Sequence, residues 1–187
     1  AQRGELTPAL RWQRIELAAR AGNTGLMRAA ARNLPEAELA LIRDYAAFID
    51  APHGRAAQWP KDTRSRAMVE IGLSRLARRD PGAAERALAS NASLLPSGGR
   101  EYGAVRAAIA LWTAASYGAE SARRLAAVPD AAFDEALHGW AVREALARGD
   151  RATALKAIER MPAALRSTAQ WQYFEARLRE DLGDAAA

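Results

Sequence analysis

The sequence predicts an all-α protein, a right-handed superhelix of about nine to ten helices stacked as hairpins (an α-solenoid). Alanine makes up 48 of the 187 residues, and alanine, leucine and arginine are strong helix formers. Valine, isoleucine and threonine are scarce, which leaves little material for β-strands. Helix start and stop signals also recur along the whole chain.

A capping side chain or a proline marks most helix starts, and glycine, asparagine or proline marks most helix ends. These signals predict helix starts at Thr7-Pro8, Asn23-Thr24, Pro35, Asp62-Thr63, Asp80-Pro81, Ser97-Gly98-Gly99, Ala119, Asp130, Asp150 and Ser167-Thr168. Residues 51–61 contain two prolines and a glycine and are predicted to form a connector. We expect one domain over residues 1–187, with a possible sub-boundary at that connector.

A weak repeat accompanies the helices: a helix with an aromatic residue, a small turn, and a shorter helix rich in alanine and leucine. The turns of successive copies contain Asp80, Gly118, Gly149 and Gly183, which lie 38, 31 and 34 residues apart. Such periods are typical of stacked helical hairpins. The last copy begins at Trp171 and lacks its second helix, so we expect the chain to be a fragment of a longer protein.

Several kinds of site are excluded by composition. The chain has no cysteine and only two histidines, His53 and His138, so neither a metal site nor a hydrolase triad is predicted. His53 is expected in a solvated loop and His138 partly buried on a helix. No phosphate-binding glycine motif occurs, and no cofactor or catalytic residue is predicted. No apolar run reaches the length of about 20 residues that a membrane span needs.

Charged residues alternate in sign along the predicted helices. The net charge is +5, but this alternation disperses the positive charge, so nucleic-acid binding is not expected. Glu16, Glu70, Glu144 and Glu159 have arginines within helical reach, which predicts solvated pairs worth a few tenths of a kcal/mol each. Nearby arginines are also expected to lower the carboxyl pKa values.

Five tryptophans recur at corresponding positions of the repeat: Trp12, Trp59, Trp112, Trp140 and Trp171. Packing in the core is the expected role, and a platform on which sugars stack is the alternative. Trp140 and Trp171 occupy matching positions, so both are expected to be largely buried.

Four ordered stretches carry a recognisable pattern. In the last two stretches it reads R-x-A-L-x-x-G-D, then hydrophobic-x-x-[LM]-P, then W-x-[YF]-[WF]-x-A-[RD], and the first two stretches precede it. The four stretches are GNTGL at 22–26 with Leu34-Pro35, SRLARRD at 74–80, VREALARGD at 142–150, and IERMP at 158–162 with WQYFEAR at 171–177. In this order they resemble the superhelical region of soluble lytic murein transglycosylases. The resemblance extends over nearly the whole chain.

The resemblance implies a superhelix that closes into a ring with a linker domain, and a lysozyme-like catalytic domain on its C-terminal side. It implies a periplasmic enzyme that cleaves the bond between N-acetylmuramic acid and N-acetylglucosamine and leaves a 1,6-anhydromuramic product. The catalytic glutamate of that family stands in a Glu-Ser context, with G-L-M-Q downstream. In this sequence the order of the two motifs is reversed, because Gly25-Leu26-Met27 comes before Glu120-Ser121, and Arg28 stands where the family has glutamine. No residue of this sequence therefore matches the catalytic glutamate.

Two functions remain open from the sequence. The first is a non-catalytic superhelical scaffold of a soluble lytic murein transglycosylase. Its partners would be the enzyme's own C-terminal linker and catalytic domains, and peptidoglycan through the parent enzyme. The second is an independent tetratricopeptide-like helical-repeat adaptor that binds protein or peptide partners. The gene sequence beyond Ala187 would distinguish them.

Overall fold

The computed structural model describes residues 7–183, which form eleven α-helices and two short 3-10 helices and contain no β-strand. The all-α prediction is therefore confirmed. The α-helices are α1 (Pro8–Ala21), α2 (Thr24–Ala31), α3 (Glu36–Asp50), α4 (Thr63–Ala77), α5 (Pro81–Ser90), α6 (Arg100–Ala115), α7 (Ser121–Ala126), α8 (Glu135–Ala147), α9 (Arg151–Glu159), α10 (Ala163–Arg166) and α11 (Ala169–Asp181).

Helix starts depend on side chains that accept a hydrogen bond from the backbone N–H three residues further on. Six helices begin in this way, after Thr7, Asn23, Asp62, Asp80, Asp134 and Asp150. Gly22 ends α1 with a positive φ of 71°, a conformation that favours glycine. Five of the six caps stand where the sequence predicts a helix start.

The prediction that Asp130 caps a helix is wrong. Residues Asp130–Ala132 form a 3-10 helix, in which the backbone N–H of Ala132 donates to the Pro129 carbonyl at 2.9 Å. This tight turn delays the helix, and Asp134 caps α8 instead by accepting from the backbone N–H of Leu137 at 2.9 Å. The four-residue helix α10 was also not expected, and the connector contains the 3-10 helix Gly54–Gln58.

The chain divides into two compact units, residues 1–105 and 106–187, and the dividing point lies within α6. In the first unit each helix from α1 to α4 packs against the next, α4 packs against α5, and α1 also contacts α4. In the second unit α8 packs against α7 and α9, and α9 packs against α11. The 51–61 connector lies inside the first unit, and a single domain over 1–187 stays a prediction.

The tryptophans differ in burial. Trp12, Trp59 and Trp171 are buried, while Trp112 and Trp140 are only half-buried. Trp171 is 6% exposed and joins a core formed with Val142, Ala145, Ala154, Ile158, Met161 and Leu178. Trp140 packs at the edge of a second core and is partly open to water. The exposed Tyr117 lies beside it, with ring centroids 6.1 Å apart, and Arg143 lies over its ring. The expectation of burial is therefore confirmed for Trp171 and met only in part for Trp140.

We expect Trp171→Ala to lower the free energy of unfolding by about 3–5 kcal/mol, because it leaves a large cavity in a close-packed core. Trp140→Ala removes a ring that already contacts water, so we expect it to cost less than half as much. Urea denaturation followed by circular dichroism measures both. Equal losses in the two variants would contradict the difference in burial.

Candidate functional site

A cavity of about 470 Å³ lies in the first unit, lined by α1, the first half of α4 and the start of α6. Its size is within the range of small-molecule binding sites. Six charged side chains line it: Glu16, Arg20, Arg64, Glu70, Arg100 and Glu101. The buried Met68 and small alanines supply its apolar surface. We refer to this feature as the charged cavity.

Helical spacing explains how the side chains reach the charged cavity. On α1, four residues separate Trp12 from Glu16 and Glu16 from Arg20, so the three side chains share one face. On α4, Glu70 lies three residues after Ala67 and so shares its face, and the small Ala67 side chain leaves open space in the cavity. Glu101 lies on the first turn of α6. Because α1 contacts α4, these faces enclose a common space.

Glu70 is the most enclosed carboxylate of the charged cavity, with only 17% of its side chain exposed. Its Oε2 atom lies 3.6 Å from Nη1 of Arg20, which also pairs with Glu16 at 2.9 Å. Burial raises the pKa of Glu70, and the opposing effects of Arg20 and Arg100 do not cancel it. The expectation that arginine neighbours lower this pKa is wrong, because loss of hydration outweighs them.

Trp12 forms one wall of the charged cavity and is 8% exposed. Its indole N–H donates to Oε2 of Glu38 at 2.8 Å. The guanidinium of Arg64 lies over the ring, 4.0 Å from the centroid. Since the arginine already covers one ring face, Trp12 offers no free platform on which a sugar could stack.

The other predicted carboxylate pairs lie in different surroundings. Glu16 forms the expected exposed pair with Arg20. Glu144 does accept from Arg148 four residues later, at 2.7 and 3.1 Å, but its side chain is buried. Glu159 pairs across helices with Arg179 at 3.2 Å. The expectation of solvated pairs within one helix is therefore wrong for Glu70, Glu144 and Glu159.

Glu175 was not predicted from the sequence to be a notable residue, yet its carboxyl pKa lies far below the usual range. The guanidinium groups of Arg166 and Arg179 donate hydrogen bonds to it, and they lower its pKa to about 2. Arg166 comes from α10, the helix that the sequence did not predict. This pairing joins α10 to α11 in the second unit.

Both histidines pack against aromatic rings. His53 is half-buried against Phe48 and Trp59, with ring centroids 5.4 and 6.2 Å away, so its expected place in a solvated loop is wrong. His138 is buried and packs edge-on against Phe133 at 4.8 Å; burial is the main cause that lowers its pKa. Within residues 7–183 no three acidic or histidine side chains are grouped as metal ligands. No helix in the same range has the length and hydrophobicity to cross a membrane.

The Glu-Ser dipeptide lies in the second unit, at the start of α7. Glu120 is exposed and pairs with Arg123, three residues away. Ser121 is buried, and its hydroxyl donates to the backbone carbonyls of Gly118 and Thr113. Met27 of the Gly25-Leu26-Met27 run is buried in the core of the first unit. These two motifs thus occupy ordinary helical surroundings in separate units.

No protein-family model and no curated protein sequence matches the chain, but solved structures do. The 70-kDa soluble lytic transglycosylase in complex with bulgecin A matches it with a TM-score of 0.81 and 24% identity. Escherichia coli SLT70 gives 0.79 and 24%, and an inactive mutant of Pseudomonas aeruginosa Slt gives 0.76 and 28%. The chain has the helical fold of soluble lytic transglycosylases.

The match to the soluble lytic transglycosylases covers 97–98% of this chain but only 30% of each of the three solved chains. The chain therefore corresponds to a helical segment of these much longer proteins. The resemblance found in the ordered sequence stretches is confirmed at the level of the fold.

The pKa shifts of Glu70 and Glu175 predict opposite responses of stability to pH. The folded-state pKa of Glu70 is raised, so its protonated form stabilises the fold at low pH and this contribution is lost as pH rises through the folded-state pKa. The folded-state pKa of Glu175 is lowered to about 2, so its contribution is present above the unfolded value and is lost as pH falls toward 2.

We therefore expect wild type to lose stability relative to Glu70→Gln as pH rises from 4 to 7. Relative to Glu175→Gln, wild type should gain about 1.5–3 kcal/mol as pH rises from 2 to 5, the usual worth of hydrogen bonds to a charged group. Urea unfolding of the three proteins over this pH range measures both differences. A shift of the same sign for both variants would contradict the assignment.

Proposed function

We propose that this chain is a non-catalytic superhelical scaffold of a soluble lytic murein transglycosylase. The full-length form would cleave the bond between N-acetylmuramic acid and N-acetylglucosamine in peptidoglycan and leave 1,6-anhydromuramic products. The observation that carries the proposal is the structural match over 97% of the chain, at a TM-score of 0.81. The ordered sequence stretches at 22–26, 74–80, 142–150 and 158–177 support it independently.

The chemistry of this cleavage places strict demands on a catalytic residue. The glycosidic oxygen must be protonated and the muramic 6-hydroxyl deprotonated, and one glutamate can do both if its surroundings hold its pKa near neutrality. Among the described carboxyl groups, Glu70 comes nearest to meeting the pKa demand on a catalytic glutamate, because burial raises its pKa. However, Ile71 follows it in place of serine, and Arg20 and Arg100 oppose the shift. The proposal therefore assigns catalysis to a part of the protein outside residues 7–183.

The remaining parts of the proposal follow from the same family. The scaffold would act as one domain over 1–187 in the periplasm, with the enzyme's own linker and catalytic domains as partners and peptidoglycan reached through the parent enzyme. It takes no cofactor and no nucleic acid. A gene that continues past Ala187 into a Glu-Ser and G-L-M-Q module would support this proposal, and a stop codon would favour the helical-repeat adaptor.

Purified sacculi test the division between scaffold and enzyme. We expect the 187-residue chain to release no anhydromuropeptides, while the full-length parent at equal concentration releases them, as measured by mass spectrometry of the soluble products. Glu70→Gln serves as the decisive variant because Glu70 is the best-placed acid among residues 7–183. Anhydro products that come from the short chain and disappear in Glu70→Gln would show that the scaffold proposal is wrong.

A further inference from the structure

We propose that the charged cavity binds a zwitterionic amino-acid-type group, such as a short peptide with both ends free. In this arrangement the ligand's ammonium lies beside Glu70 and its carboxylate beside Arg100. The inference rests on the side chains of the cavity alone and holds for either function of the full protein.

The charges of the cavity balance, which favours a ligand of zero net charge. Three carboxylates and three guanidinium groups line the space. Glu16 and Arg20 pair with each other, and Arg64 lies over Trp12. Glu70 has only the 3.6 Å contact with Arg20 and the longer-range charge of Arg100, and neither provides a hydrogen bond to it. A ligand that carries one positive and one negative group would satisfy charges of both signs.

Glu70 lacks the hydrogen bonds that an enclosed carboxylate normally has. Its nearest cationic nitrogen, in Arg20, is 3.6 Å away, which is beyond the range of 2.7–2.9 Å that is usual for charge-assisted hydrogen bonds. A poorly solvated carboxylate without such bonds is costly. A ligand ammonium has three donors and would supply them, and its positive charge would favour ionised Glu70 over the protonated form.

The apolar surface and the shape of the cavity limit the ligand further. Met68, Ala67 and Ala104 line the cavity beside the charges, so short aliphatic side chains can be buried there. Arg64 already covers the face of Trp12, which argues against a stacked sugar. A polyanion would meet Glu16, Glu70 and Glu101, and a simple polycation would meet Arg20, Arg64 and Arg100.

Three dipeptides test the inference: alanyl-alanine with free ends, its N-acetyl form without the ammonium, and its C-terminal amide without the carboxylate. Each is titrated into the ¹⁵N-labelled chain, and chemical shifts are followed at the Trp12 indole and at the backbone of Ala67, Glu70 and Ala104. We expect the free dipeptide to shift these signals and each blocked form to bind at least about tenfold more weakly, which corresponds to about 1.4 kcal/mol.

Variants assign the binding to the two charges. Glu70→Gln and Arg100→Gln should each weaken binding of the free dipeptide by about tenfold or more. The control is Glu36→Gln, which removes an exposed carboxylate that pairs with Arg43 outside the cavity. This control should bind like wild type. The same spectra show whether each variant is folded, and the blocked dipeptides test the inference on the wild-type chain in any case.

Three results would overturn the inference. One is the absence of shifts at the cavity signals at millimolar free dipeptide. The second is equal binding of the free and blocked forms, which would show that the cavity does not recognise the two charges. The third is a set of shifts confined to the second unit, which would place the binding elsewhere.

Discussion

The fold depends on the burial of short helices against their neighbours. The longest described helix, α6, has sixteen residues, and α2, α5, α7, α9 and α10 have ten or fewer. Isolated helices of this length are marginal in water, so each must bury its apolar stripe against an adjacent helix. Alanine makes close approach possible: Ala18, Ala19, Ala30 and Ala31 are all buried on the packed pair α1 and α2. Stacked hairpins follow from this constraint.

The helices could be predicted from the sequence because their boundaries depend on local contacts. A capping side chain at Asp62, Asp80 or Asp150 bonds to a backbone N–H only three residues away, so the residue pattern contains both partners. Asp130 shows where this reasoning fails, since Pro129 closes a 3-10 turn before the helix can start. Burial was less predictable: Trp140 and Trp171 match in the repeat, but Trp140 lies at the margin of its core, with the exposed turn residue Tyr117 beside it.

The charged cavity could not be predicted, because its residues come from distant parts of the chain. Glu70 and Arg20 are fifty residues apart and meet only when α1 contacts α4. The effect of an arginine on the pKa of a nearby carboxylate also depends on geometry. Glu70 and Glu175 each have two arginines nearby, yet Glu175 accepts hydrogen bonds from both and its pKa falls, whereas burial dominates at Glu70. Sequence proximity to arginine is therefore a poor guide to the charge state of a carboxylate.

The solved structures that match this chain share its helical fold but few of its side chains. A TM-score of 0.81 at 24% identity means that about three quarters of the side chains differ while the helical arrangement is kept. Caps, turns and small packed residues are sufficient to define such a fold, and they place few demands on the residues that line a cavity. The six charged side chains that line the cavity, Glu70 included, are not among the side chains that cap the helix starts. They cost stability where they are enclosed, and recognition of a charged ligand would offset that cost.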